Sequence, residues 1–253
     1  MIIMRIPIYL AVFVTALFAG YKAGDHLNPL EEVFNNQLDA MIMPGVEIPD
    51  NNQFNLLIIS VDDMDKPDAQ LESIWLAAYP ENSPSITFIP IFPSPDNSTN
   101  NSAIINSFSL DKGKPEKGFW DAMRKTKFWW KGYLISDGST SIKLIDVLGG
   151  VGIQNQNMSG EQAISSITSW MENPKEAIYH QKLAIESICN QVAHNQQPNL
   201  KMVSELINRD FRSNTQTKIF LVGWTASVAS EDNFSCNFPT LSQTSMNSKI
   251  VSR

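Results

Sequence analysis

Residues 54–63 read "FNLLIISVDD", apolar at almost every position and closed by two aspartates. A continuous run of this kind fits a strand buried on both faces of a sheet. "SIWLAAYP" and "PSITFIPI" follow, bounded by Pro, Asn and Ser, and predict a strand pair joined by a turn at "PENSP". "FPSPDNSTNNS" has no hydrophobic period and reads as a loop. After it, "FWDAMRKTKFWW" has helical spacing and "WWKGYLIS" predicts a strand. Ile142, Leu144, Ile145, Val147 and Leu148 then share an apolar helix face behind the cap candidates Ser139, Thr140 and Ser141. Gly149 and Gly150 supply the stop, where a positive φ is cheap. "GEQAISSITSWM", "KEAIYHQKLAIESICNQVA" and "NLKMVSELINRDF" predict further helices, and "KIFLVGW" predicts a late strand. Strands alternating with helices give an α/β class, a mixed central β-sheet flanked by α-helices.

The amino terminus breaks this rhythm. "MIIMRIPIYLAVFVTALFAGYK" carries no charge between Arg5 and Lys22. The run is short for a membrane span and long for the apolar region of a signal peptide. Both flanking cations can snorkel, and "ALFAGYKAG" offers no clean A-x-A cleavage site. We read residues 1–24 as an uncleaved signal anchor, an N-terminal transmembrane helix; a cleaved signal peptide and a buried soluble helix are the alternatives. Either export reading puts the rest outside the cytoplasm, and the anchor reading makes this a single-pass protein of the cell membrane. Residues 25–52 are polar and read as a juxtamembrane linker, 53–225 as the folded domain, and 226–253 as a flexible Ser/Asn/Thr-rich tail.

Composition narrows the function. The chain has 253 residues, 43% of them hydrophobic, which is ample for a core. A net charge of −7 repels polyanions, and no basic stripe with interleaved aromatics marks a nucleic-acid partner. Only five of the nineteen basic residues are arginine. Cys189 and Cys236 fit one disulfide of an exported chain or two buried thiols; spacing alone does not decide. The chain has no G-x-S-x-G, HExxH, CxxC or G-x-x-x-x-G-K-[ST]. Asp62, Asp63 and Glu72 are candidate cation ligands or ordinary solvated acids at a strand end. Trp120, Trp129 and Trp130, with Phe119 and Phe128, fit either the rim of a lipid or glycan site or plain core packing. His26 and His194 have no evident partner.

Several strings in order resemble the LytR–CpsA–Psr family of bacterial envelope proteins. "NLLIISVD" resembles its opening strand ending in aspartate, and "QLESIWLAAY" its "RSDTIML" strand. "SITFIPIFPSP" stands where the family runs into Pro-Arg-Asp, and "INSFSLDKG" is similar to "INSAYAYGG". "GYLISDGSTSIKLIDVLGGVGI" parallels a strand, a helix and "LIDALGGV". "MSGEQAI" and "HQKLAIESI" resemble the two helical elements that follow. The resemblance runs from about Asn55 to Val192. It implies an α/β/α fold and transfer of a glycopolymer phosphate from an undecaprenyl pyrophosphate carrier to peptidoglycan. Such chemistry needs arginine forks on the pyrophosphate, carboxylates for a divalent cation such as Mg2+, and an apolar tunnel for the lipid.

Those arginines are missing. Their positions fall at Gln70, Ile91, Thr168, Trp170 and His180, and the aspartate of Pro-Arg-Asp falls at Phe92 beside a retained Pro90. Asp62 keeps its place, and Glu72 stands for an aspartate as the other candidate metal ligand. The expectation is a divergent, non-catalytic member that binds a polyprenyl-type lipid or cell-wall polymer, with an apolar pocket between the sheet and residues 117–148. The alternatives are an active phosphotransferase and a structural accessory subunit with an envelope protein partner.

Overall fold

The structure, a computed structural model, describes residues 53–80, 85–93, 100–126, 128–153, 156–169, 173–193, 200–218, 220–221 and 234–239. The anchor and linker, residues 1–52, lie outside the described residues. Among those described, no helix is long and apolar enough to cross a membrane.

In chain order the elements are β1 (Gln53–Val61), β2 (Leu71–Pro80), β3 (Ser85–Phe92), α1 (Asn100–Ser107), β4 (Leu110–Asp111), β5 (Lys114–Pro115) and α2 (Lys117–Arg124). There follow β6 (Gly132–Asp137), α3 (Gly138–Val147), β7 (Val151–Ile153), β8 (Gln156–Met158) and α4 (Gly160–Thr168). The last are α5 (Pro174–Ala193), α6 (Leu200–Asp210), β9 (Arg212–Ser213) and β10 (Ser235–Asn237). The main sheet is six-stranded, in the order β10-β3-β2-β1-β6-β9. β1 pairs antiparallel with β2 and parallel with β6, so the sheet is mixed, as the alternation of elements predicts.

β1 is apolar throughout because both of its faces are covered. Leu57, Ile59 and Val61 pack with Ile74, Leu76, Ile89 and Ile135 under α1 and α2, through Ile104, Phe119, Ala122 and Met123. Phe54 and Leu56 face the other way, with Trp75, Phe88 and Leu134, under Cys189 of α5 and Val203, Leu206 and Ile207 of α6. A third cluster ties Ile145 of α3 to Val151, Ile153, Ala163 and Ala184.

Four local expectations are corrected. The N-cap of α3 is Asp137, whose side chain accepts from the Thr140 N–H, so the helix starts ahead of the serines. Its end is as expected, at Gly149 and Gly150 with φ of +87° and +100°. Asn100–Ser107, read as a polar loop and its sequel, is a helix because Ile104 anchors one side of it in the core. The late strand is helical at 215–218 and 220–221. There the Asn214 carboxamide oxygen accepts from the Thr217 N–H at 3.0 Å, and Phe220 stacks on Phe54 at 4.0 Å. Finally, Ser235–Asn237 of the expected tail forms β10, parallel to β3, and Cys236 is bonded to Cys189.

Candidate functional site

The ends of β1 and β6, which run parallel, meet the start of β2 and the end of β3 on one rim of the sheet. That topology gathers Asp62, Gln70, Glu72, Ile91, Phe92 and Asp137 at one end. The Asp62 carboxylate holds the β1–β2 connection: its Oδ1 accepts from the N–H of Asp63 (2.8 Å) and of Gln70 (2.6 Å). The Asp62 N–H donates in turn to the Gln70 carbonyl at 3.0 Å. The Asp63 carboxylate accepts from the Asp65 N–H at 3.0 Å and pairs with Lys66 at 3.2 Å.

Glu72 is half-buried on β2. Burial pushes its carboxyl above the ordinary range, and the negative charges of Asp62 and Asp137 push it further. Asp137 goes the other way. Burial raises it, but hydrogen bonds from the Thr140 hydroxyl and N–H, the Ser139 hydroxyl and the Met64 N–H outweigh burial and hold it below its usual value. Two neighbouring carboxyls are thus driven apart, Glu72 toward the neutral form and Asp137 toward the charged one.

The aligned arginine positions are spread over the fold. Gln70 is exposed on the rim, whereas Ile91 is 7% exposed in the core under α1 and α2, with Phe92 beside it. Thr168 is exposed at the end of α4, its hydroxyl donating to the Ile164 carbonyl at 2.8 Å. Trp170 lies outside the described residues. His180, expected on a helix surface, is 2% exposed within α5, one turn before Ala184, which packs with Ile145, Val151, Ile153 and Ala163. The described arginines are each held by an aspartate: Arg124 by Asp121 (2.6 Å), Arg209 by Asp210 (2.6 Å) and Arg212 by Asp65 (3.3 Å).

The donor set fits a resident divalent cation poorly. Among the described residues no group of three or more His, Cys, Asp or Glu side chains stands close enough to hold one. Asp62 Oδ1 and Asp137 Oδ1 are already committed to backbone and hydroxyl donors. Asp62 and Glu72 remain neighbours of like charge.

Aromatic and aliphatic side chains meet where the sheet faces residues 117–148. Phe119 and Met123 are fully buried against Leu57, Ile59 and Ile135. Trp129 is buried too, while Trp120 and Trp130 stack at 5.9 Å on the margin with Phe128 and Tyr133. An open pocket of about 470 Å³ lies at the start of α2, lined by Asp111, Lys114, Pro115, Glu116, Lys117 and Gly118. It is not at the acidic rim.

Sequence reasoning missed Asp137 and the role of Asp146. The latter, in "LIDVLGG", accepts from the Gly160 N–H at 2.7 Å and so ties α3 to the first residue of α4. An aspartate directly ahead of a Gly-Ser-Thr-Ser run was the available signal for Asp137.

No family model and no curated protein matches the chain. Solved structures do. TagT bound to LIIa-WTA is 10% identical, with 78% of this chain and 82% of that one covered at a TM-score of 0.54. Protein gbs0355 from Streptococcus agalactiae is 12% identical, with 75% and 77% covered at 0.53. B. subtilis TagV is 11% identical, with 76% and 85% covered at 0.50. Identities this low carry the fold and nothing beyond it. This chain has the fold of TagT and TagV.

Proposed function

We propose that this is a membrane-anchored, extracytoplasmic envelope protein that holds a cell-wall polymer on a LytR–CpsA–Psr-like fold without transferring phosphate. One observation carries the reading. Where the family resemblance calls for arginines, the rim has an exposed glutamine at Gln70 and a core side chain at Ile91. The remaining rim charge is dominated by Asp62, Glu72 and Asp137, which disfavours a pyrophosphate. TagT, bound to LIIa-WTA, supports the polymer class as the ligand.

The phosphotransferase reading has one observation on its side. Glu72 is half-buried with a raised carboxyl beside two carboxylates, a pattern that recurs at catalytic sites. The deciding experiment offers the detergent-extracted full chain a glycopolymer on an undecaprenyl pyrophosphate carrier, with peptidoglycan as acceptor. Retention of separately added free polymer, without new polymer–peptidoglycan linkage, is the expected result. Linkage that depends on the protein would overturn the proposal. Protease added to intact spheroplasts tests the topology, and the domain should be removed.

A further inference from the structure

β10 is held to the sheet by little backbone. Its residues pair with β3 only at Ser235–Ser85, Cys236–Ile86 and Asn237–Thr87, in the parallel sense that is weaker per residue. Its side chains do more. Phe234, Cys236 and Phe238 are spaced by two and so point to one face. Phe234 is buried, and Phe238 stacks on Phe88 at 5.5 Å with the Lys182 ammonium 5.5 Å from its centroid. Between them Cys236 is bonded to Cys189, itself buried in α5 among the residues that cover the sheet. β10 is the outermost strand, so without it β3 becomes the edge, with unpaired backbone groups beside an uncovered Phe88.

The geometry points to the Cys189–Cys236 bond as a redox-controlled closure of the sheet: oxidation seats β10 on β3, and reduction releases it and opens the β3 edge. Closing is a thiol–disulfide exchange with a disulfide-bearing oxidoreductase. The Cys236 thiolate attacks the oxidant's disulfide and displaces one of its sulfurs, giving a mixed disulfide. The Cys189 thiolate then attacks the Cys236 sulfur and displaces the other. Two electrons and two protons pass from the cysteine pair to the oxidant, which leaves as a dithiol. Opening is the same exchange run backward by a dithiol reductant. The completed sheet therefore belongs to an oxidising compartment, and the chain before export carries an open edge.

Hydrogen exchange on the detergent-extracted full chain tests this, with the protein folded oxidised and then reduced by tris(2-carboxyethyl)phosphine. On reduction, amides of residues 235–238 and the β3 amides facing them should exchange at least about tenfold faster, while β1 and β6 change by less than about twofold. Unchanged protection at β10 after reduction would overturn the proposal. So would parallel loss across β1, β6 and β10, which would make the bond a staple of the whole domain. In a second arm, Phe234→Ala with the disulfide intact should leave residues 235–237 protected. Release of β10 in that variant would show that the aromatic anchors, and not the bond, hold the strand.

Discussion

The indole Nε1 of Trp75 donates a hydrogen bond of 2.8 Å to Oε1 of Gln181, joining β2 to α5 across a buried interface. Both side chains are buried, and Gln181 lies in the segment that resembles the family's "RQQ" helix. Trp75→Phe keeps most of the apolar contact and removes this donor. The cost of depriving a buried acceptor is about 1–3 kcal/mol, so the urea midpoint should fall by that amount at an unchanged slope. A change in slope would mean that a different state is being unfolded.

Glu72 gives a pH prediction with a definite sign. Its folded carboxyl is raised, so the native state holds its proton more tightly than the unfolded chain does. The resulting penalty is absent below the ordinary carboxyl range and complete above the raised value. Glu72→Gln should therefore stabilise the protein at neutral pH, with the gain fading as pH falls through that range. Asp137, held low, contributes stability that is present above its ordinary value and lost in stronger acid. Thermal unfolding from pH 3.5 to 7.5 in the two proteins reads the difference; parallel curves would show that burial and the neighbouring charges do not raise Glu72.

Asp137→Ala separates the cap from the charge. The carboxylate accepts from the Thr140 N–H at 2.9 Å and the Thr140 hydroxyl at 2.7 Å, and its loss leaves the first turn of α3 uncapped. A cost of about 0.5–2 kcal/mol is expected by chemical denaturation. Asp137→Asn should recover most of it, because the amide oxygen still accepts.

The parts of the fold that were legible are those in which one run of side chains has one environment. β1 is buried on both faces and reads as such, and the α3 stop reads from Gly149 and Gly150. The parts that were not legible depend on distant partners. Ile104 makes an Asn-rich stretch helical by reaching the core, and Phe220 turns an apparent strand into a helix by stacking on Phe54. The alternation Phe234, Cys236, Phe238 was visible, but a segment that short signals a strand only once β3 and Cys189 are in place. At the rim, the resemblance pointed to Asp62 and Glu72, and the charge of Asp62 helps raise the Glu72 carboxyl. It gave no means of knowing that Ile91 points into the core, since "SITFIPIF" is apolar at nearly every position.

Returning arginine to both aligned positions treats them as equivalent, and the structure does not. Gln70 is exposed on the rim, so Gln70→Arg should alter stability by no more than about 0.5 kcal/mol. Ile91 is buried in the apolar cluster that includes Leu57, Ile104 and Phe119. Ile91→Arg should destabilise by at least about 3 kcal/mol, the scale for an uncompensated buried charge. Denaturation of the two single variants measures this directly. A well-folded Ile91→Arg protein would mean that the position opens toward the rim and that the arginine site is latent rather than lost. With Gln70→Arg alone, isothermal titration with a soluble polyprenyl pyrophosphate analogue should show no binding in the parent and at most a weak signal in the variant. One added charge-assisted contact is worth about 1.5–3 kcal/mol, and the carboxylates of Asp62, Glu72 and Asp137 oppose it. Micromolar binding by the parent protein would sink the non-catalytic reading.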